Sequence, residues 1–188
     1  MFYRILFIIG IGFLLVGQII LAKGNEYVYN LKPIDFAHWS LLVGSVLLIP
    51  QVIRSPRKPF GFIGIPLTMI GIICMVGMCV IDFIFWSFTD EQLRHDFTQH
   101  ITQVPSIWKT FMTVGPSSKV FNLGLLILSL NYWKSEKIGI GILLLATLIL
   151  WHIIPTPHRL IFGYSFTLIA FTMILFGKEI KSKLLKRT

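Results

Sequence analysis

Long apolar runs, broken by short polar intervals, set the pattern of the chain. Uncharged runs cover residues 5–22, 36–53, 120–133, 138–154 and 160–177, and a further run, 60–88, is interrupted only by Asp82. A helix rises about 1.5 Å per residue and needs about 20 apolar residues to cross a bilayer core. The pattern therefore predicts an all-α polytopic membrane protein, a bundle of six transmembrane helices forming one domain over 1–188. The run at 120–133 has only 14 residues. It is short for a crossing, and a re-entrant segment is the alternative. Lys119 snorkelling at one end and Trp133 in the interface at the other would extend it. The first run exceeds the 7–15 residues of a signal-peptide core, so a retained first helix is expected, although Ala22-Lys23-Gly24 weakly resembles a cleavage site.

The polar intervals are mostly tight. Lys23 to Asp35 is a short loop, and Arg54, Arg57 and Lys58 form a basic turn before Pro59. Residues 89–119 are the one sizeable stretch predicted to lie outside the membrane. Thr89-Asp90-Glu91-Gln92 reads as a capping box with Thr89 as the cap. Leu93, Phe97 and Ile101 recur every four residues, which predicts a short amphipathic helix on the membrane surface. Pro105 opens a further turn or two carrying Ile107, Trp108 and Phe111, and Gly115 to Ser118 ends it and caps the next helix. This loop is long enough to cover the outer mouth of the bundle. Gly10 and Gly17, and Gly61, Gly64 and Gly71, form small-residue stripes suited to close helix contact, and Pro66 predicts a kink.

Composition agrees with this picture. The chain is 55% hydrophobic and only 13% charged, with a mean hydropathy of +0.78, whereas soluble domains carry about a quarter charged residues. The net charge of +9 does not point to nucleic acid, because the basic residues flank apolar runs instead of forming a patch. With six spans and a cytoplasmic N-terminus, 11 of the 17 Lys and Arg residues fall inside and 6 outside, as the positive-inside rule requires. The expected location is the cell membrane with both termini cytoplasmic. The expected partners are the lipid bilayer and a membrane-protein partner or second copy. Cys74 and Cys79 stand at i and i+5 and face different ways, so no bridge between them is expected.

Candidate chemistry gathers on the outer side of this topology. All five histidines fall there: His38 on the second span, His95 and His100 in the outer loop, His152 near the end of the fifth span, and His158 after it. Asp35, Asp82 and Asp96 lie at the same level. Asp82, near the end of its span, is costly in a bilayer without a partner or water. Asp35 and His38 share a helix face at i, i+3, and Asp96 and His100 pair at i, i+4. Carboxylate and imidazole together suit a divalent metal such as zinc. His38, Asp82, His152, Asp96 and His100 are thus the candidate metal ligands, with Asp82, His38 and His152 as the candidate catalytic groups. The sequence has no HExxH, GxSxG, Walker A, CxxC or CxxCH signature. Three readings follow. A non-enzymatic membrane subunit or partner-binding protein claims least and ranks first. The others are a metal-dependent membrane enzyme with a His/Asp site at the outer face, and a proton-coupled transporter or b-type haem protein with His38 and His152 as axial ligands.

Overall fold

The computed structural model describes residues 1–29, 35–57, 59–153, 155 and 158–185. These form an all-helical protein without strands among them: α1 (Phe2–Leu21), α2 (Asn25–Tyr29), α3 (Phe36–Ile53), α4 (Gly61–Ser87), α5 (Glu91–Thr102), α6 (Pro105–Ser117), α7 (Lys119–Tyr132), α8 (Lys137–Leu148) and α9 (His158–Leu185). The middle of α6, Trp108–Val114, is wound as a wide π-helix, and α8 runs on into a similar turn, Ile149–Ile153.

Among the described residues, four helices are each long and apolar enough to cross a membrane: α1, α3, α4 and α9 as far as Gly177. α6 and α7 reach that length only together, across a bend of 55°. α8 is apolar but shorter. The weak run at 120–133 is thus preceded by a helix that the polar residues Lys109, Thr110 and Thr113 hide from a hydropathy reading. The interval predicted as one outer loop divides accordingly. α5 covers the end of the bundle, and α6 packs along α4.

Small residues set the register. A Cβ added at Gly10 would stand 2.8 Å from the Gly44 carbonyl, and one at Gly17 would stand 3.0 Å from that of Ala37, so α1 and α3 lie antiparallel with their backbones close. On α4, Gly71 meets the backbone of Phe121, Gly64 meets Leu128, and Gly77 faces the Phe111 ring. Gly115 lies against the Cys74 carbonyl. The bent α6–α7 pair therefore follows α4 antiparallel along most of its length. Ser45 Oγ lies 3.0 Å from Met75 Sδ between α3 and α4, and the Phe7 and Phe171 rings meet at a tilt, 4.8 Å apart, between α1 and α9. α8 packs on α7 and α9. The long helices close into a ring in chain order, with the last helix against the first.

Leu14, Leu41, Leu125, Leu143 and Tyr164 fill the centre of the ring and are fully buried. Large apolar side chains such as Phe62, Ile63, Ile73 and Ile138 cover the outside and stay exposed, as expected of a surface that faces lipid. Arg4 fastens one end. Its Nη1 donates to the Leu175 carbonyl and to Glu179 Oε1, each at 3.0 Å. At the same end Arg54 stacks on Tyr3 at 3.9 Å, and Asn131 Nδ2 donates to the Pro56 carbonyl at 3.1 Å.

The opposite end is closed by α5. Its cap is Asp90, not Thr89: the Asp90 carboxylate accepts from the Gln92 amide at 2.8 Å, one residue later than the capping-box reading placed it. Ile101 is buried and Phe97 packs on Phe88 at 5.5 Å. The apolar face of α5 thus turns partly onto the protein instead of lying wholly on lipid. Cys74 and Cys79 are both buried and unbridged.

Candidate functional site

The antiparallel packing of α3 on α4 brings the first turn of one helix beside the last turns of the other. Asp35 caps α3, and its Oδ1 accepts from the His38 amide at 3.0 Å. An acid is well placed there, at the positive end of the helix dipole. Its Oδ2 lies 2.5 Å from His38 Nδ1. Asp82 comes from the other helix, and its Oδ2 lies 3.0 Å from the same nitrogen. All three side chains are largely withdrawn from the surface, at 12%, 8% and 17% exposure for Asp35, His38 and Asp82. Burial pushes the Asp35 carboxyl up, but the hydrogen bonds from the His38 ring and amide outweigh it and hold the group below the ordinary carboxylate value.

His38 Nδ1 carries at most one hydrogen. It can serve only one of the two carboxylates; Asp35 is the nearer, and buried Asp82 Oδ2 makes no hydrogen bond. Two carboxylates share one imidazole, so the three side chains by themselves carry a net negative charge even when the ring is protonated. Asp82 also sits near the negative end of the α4 dipole. The arrangement is costly unless a further cation or donor joins it.

The cluster borders a chamber of about 490 Å³ between the helix ends. Leu21, Leu41, Met75, Met78, Met112 and Leu160 line its apolar wall. Four polar side chains converge on it: Gln18, His38, Asp82 and Ser118. Trp86 and Phe85 stand on its outer wall, and Arg94 from α5 lies over the Trp86 ring at 5.3 Å while donating to the Phe88 carbonyl at 2.8 Å. A smaller cavity of about 190 Å³ under α5 shares Asp82, Phe85 and Met112 with the chamber. Asp82 therefore stands where the two spaces meet.

Ser118 joins α6 to α7 in a left-handed conformation, φ 54°, which a non-glycine residue adopts only when its surroundings hold it. Asn122 Nδ2 donates to its carbonyl at 2.8 Å, and its hydroxyl is hydrogen-bonded to the buried Tyr164 hydroxyl at 2.8 Å. Ser118 stands at the N-cap position of α7, as the sequence predicts, but its side chain makes no cap bond and crosses to α9 instead.

The other predicted site residues fall elsewhere. Asp96 and His100 are exposed on α5. Asp96 Oδ1 accepts from Gln92 Nε2 at 2.8 Å and lies 3.7 Å from His95 Nδ1. Gln92, one turn back, takes the place expected of His100. His152 lies in the wide turn after α8, and its side chain is outside the described residues. Among the described residues, Asp35, His38 and Asp82 are the one group of three whose donor atoms all lie within 4.8 Å of one another. Asp35 was read as the helical neighbour of His38, and its place in the cluster needed α4. Ser118 and Tyr164 gave no signal as a pair. Compared with protein-family profiles, curated proteins and solved structures, the chain matches none of them.

Proposed function

We propose that this chain is a multi-pass membrane protein that binds a small amphiphile in the end chamber, as a non-enzymatic binding protein. The observation that carries the reading is the chamber itself. Its volume of about 490 Å³ falls in the range of small-molecule sites, and an apolar wall with a few convergent polar groups is the usual form of such a site. The three methionines supply a soft wall that adapts to a flexible chain. Gln18, His38, Asp82 and Ser118 offer hydrogen bonds to a polar head. The hydroxyl of Ser118 is bonded to Tyr164 and not to an imidazole or carboxylate, which favours binding over acyl transfer.

The reading places the chamber on the extracytoplasmic side of the cell membrane, with six crossings and both termini in the cytoplasm. The antiparallel run of α6–α7 along α4 supports counting that bent pair as one crossing. The bias of basic residues towards the Arg4 end supports the orientation.

Brominated single-chain phospholipid, added to the detergent-purified protein, tests the proposal by quenching the chamber-lining indole of Trp86. Saturable quenching at about one lipid per chain, lost in Trp86→Phe and blocked by the chamber-filling Met78→Trp, is the expected result. Quenching that never saturates, and is equal in wild type and Trp86→Phe, overturns it. A second reading, a metal-dependent enzyme acting on that amphiphile, is favoured by the Asp35–His38–Asp82 cluster at the chamber wall.

A further inference from the structure

The chamber reading leaves the surplus charge of the cluster unexplained. We propose that Asp35, His38 and Asp82 bind one divalent transition-metal ion, of the zinc class, with a coordination position open towards the chamber. The first argument is charge. Two carboxylates and a protonated imidazole sum to −1, whereas two carboxylates, a neutral imidazole and a divalent cation sum to zero. In a buried site the second state removes a standing penalty that the first retains.

The second argument is donor geometry. One donor atom from each of Asp35, His38 and Asp82 lies within 4.8 Å of the other two. Tetrahedral bonds of about 2.0–2.2 Å place neighbouring ligands about 3.3–3.6 Å apart. The His38–Asp82 separation of 3.0 Å needs to widen by only about 0.3–0.6 Å to meet this. The His38–Asp35 pair stands at 2.5 Å, held by the shared hydrogen, and it opens by about 1 Å when a metal takes that hydrogen's place. A mixed nitrogen and carboxylate set suits zinc, ferrous iron or manganese better than the all-oxygen preference of calcium or magnesium.

The third argument is support. Asp35 Oδ1 is held by the His38 amide, which leaves its other oxygen aimed at the site, as outer hydrogen bonds orient ligands in metal centres. Asp82 Oδ2 is buried and receives no hydrogen bond, so one ligand atom is free to bind. Three protein ligands beside a cavity leave room for a water or a ligand oxygen. The inference stands on the cluster alone and does not require an amphiphile.

The test is metal loading of the 188-residue chain in detergent, without added lipid. The chain is stripped with a chelator, reloaded with Zn²⁺ and freed of excess by gel filtration, and its metal is then measured by elemental analysis. About one zinc per chain is expected, with a higher midpoint of thermal unfolding. Asp82→Asn and His38→Ala should each lose most of it, while the triple variant His95→Ala, Asp96→Asn, His100→Ala should keep it. Visible absorption of the Co²⁺-loaded wild type, displaced by one equivalent of Zn²⁺, reads the same site without any variant and decides the matter where a variant does not fold. A wild-type chain that takes up no zinc, folded cluster variants that retain it, or loss in the triple variant overturns the proposal. Lipid quenching measured after chelation reports on the chamber separately, so either reading can fail alone.

Discussion

At the scale of the residue, Ser118 and Tyr164 show how a polar pair in an apolar interior is kept specific. Each hydroxyl is buried, and each is the other's partner. Tyr164→Phe should therefore lower stability by ~1–2 kcal/mol, because it strands the Ser118 hydroxyl. Ser118→Ala combined with Tyr164→Phe should cost less than the sum of the two single changes in a double-mutant cycle on unfolding midpoints. Additive losses would mean that the pair is not coupled. Asp35 has two duties, one oxygen on the α3 amide and one on the imidazole. Asp35→Ala removes the cap and should cost ~1–2 kcal/mol by thermal unfolding. Asp35→Asn keeps a cap-competent oxygen and should cost less, while still abolishing the zinc uptake proposed for the cluster. The pairing of Asp35 with His38 was legible at i, i+3. Their meeting with Asp82 was not, because it spans two helices whose adjacency no local pattern encodes.

At the scale of the element, glycines decide how closely helices approach, and their positions separate the tight seams from the open faces. A Cβ at Gly71 would stand 2.5 Å from the Phe121 Cα, with no flexible side chain to yield. Gly71→Ala should push α4 and α7 apart and lower stability by ~1–3 kcal/mol, as overpacking does. Gly12 faces open space with nothing within 4 Å. Gly12→Ala should be neutral or slightly stabilising through helix propensity. Comparing the two by thermal unfolding checks the register, and equal effects would contradict it. The stripe on α4 was visible as a spacing of small residues, but its partner was not, since any helix with a shallow face satisfies such a stripe. The first half of the α6–α7 pair escaped the hydropathy reading for a different reason. Its polar residues Lys109, Thr110 and Thr113 are compatible with a helix that packs on α4 along one face only.

At the scale of the whole molecule, the ring places unlike chemistry at its two ends. Gln18, His38, Asp82 and Ser118 stand at one, and Arg4, Glu136 and Glu179 at the other. The proposed orientation is tested in intact cells with a membrane-impermeant maleimide, because the native Cys74 and Cys79 are buried. Gln99→Cys on exposed α5 should label from outside, and Ser135→Cys at the opposite end only after permeabilisation. The reverse pattern would invert the topology and turn the chamber to the cytoplasm.

The apolar runs, the sparse charges and the basic flanks determined from the sequence alone an all-helical chain with several helices able to cross a membrane, because the cost of leaving backbone or charge unsatisfied in lipid leaves few alternatives. The same logic marked Asp82 as a residue in need of company, and helical periodicity paired Asp35 with His38. Only the tertiary structure decided which company Asp82 keeps. The antiparallel packing of α3 on α4 brings Asp82 to His38, whereas Asp96 and His100 stay on the exposed face of α5. It also decided that the interval after α4 folds partly back along α4, that Ser118 reaches Tyr164, and that a chamber opens beside the cluster. Hydropathy acts residue by residue along the chain and can be read there. Convergence depends on which helices become neighbours, and that is settled by packing across the whole ring.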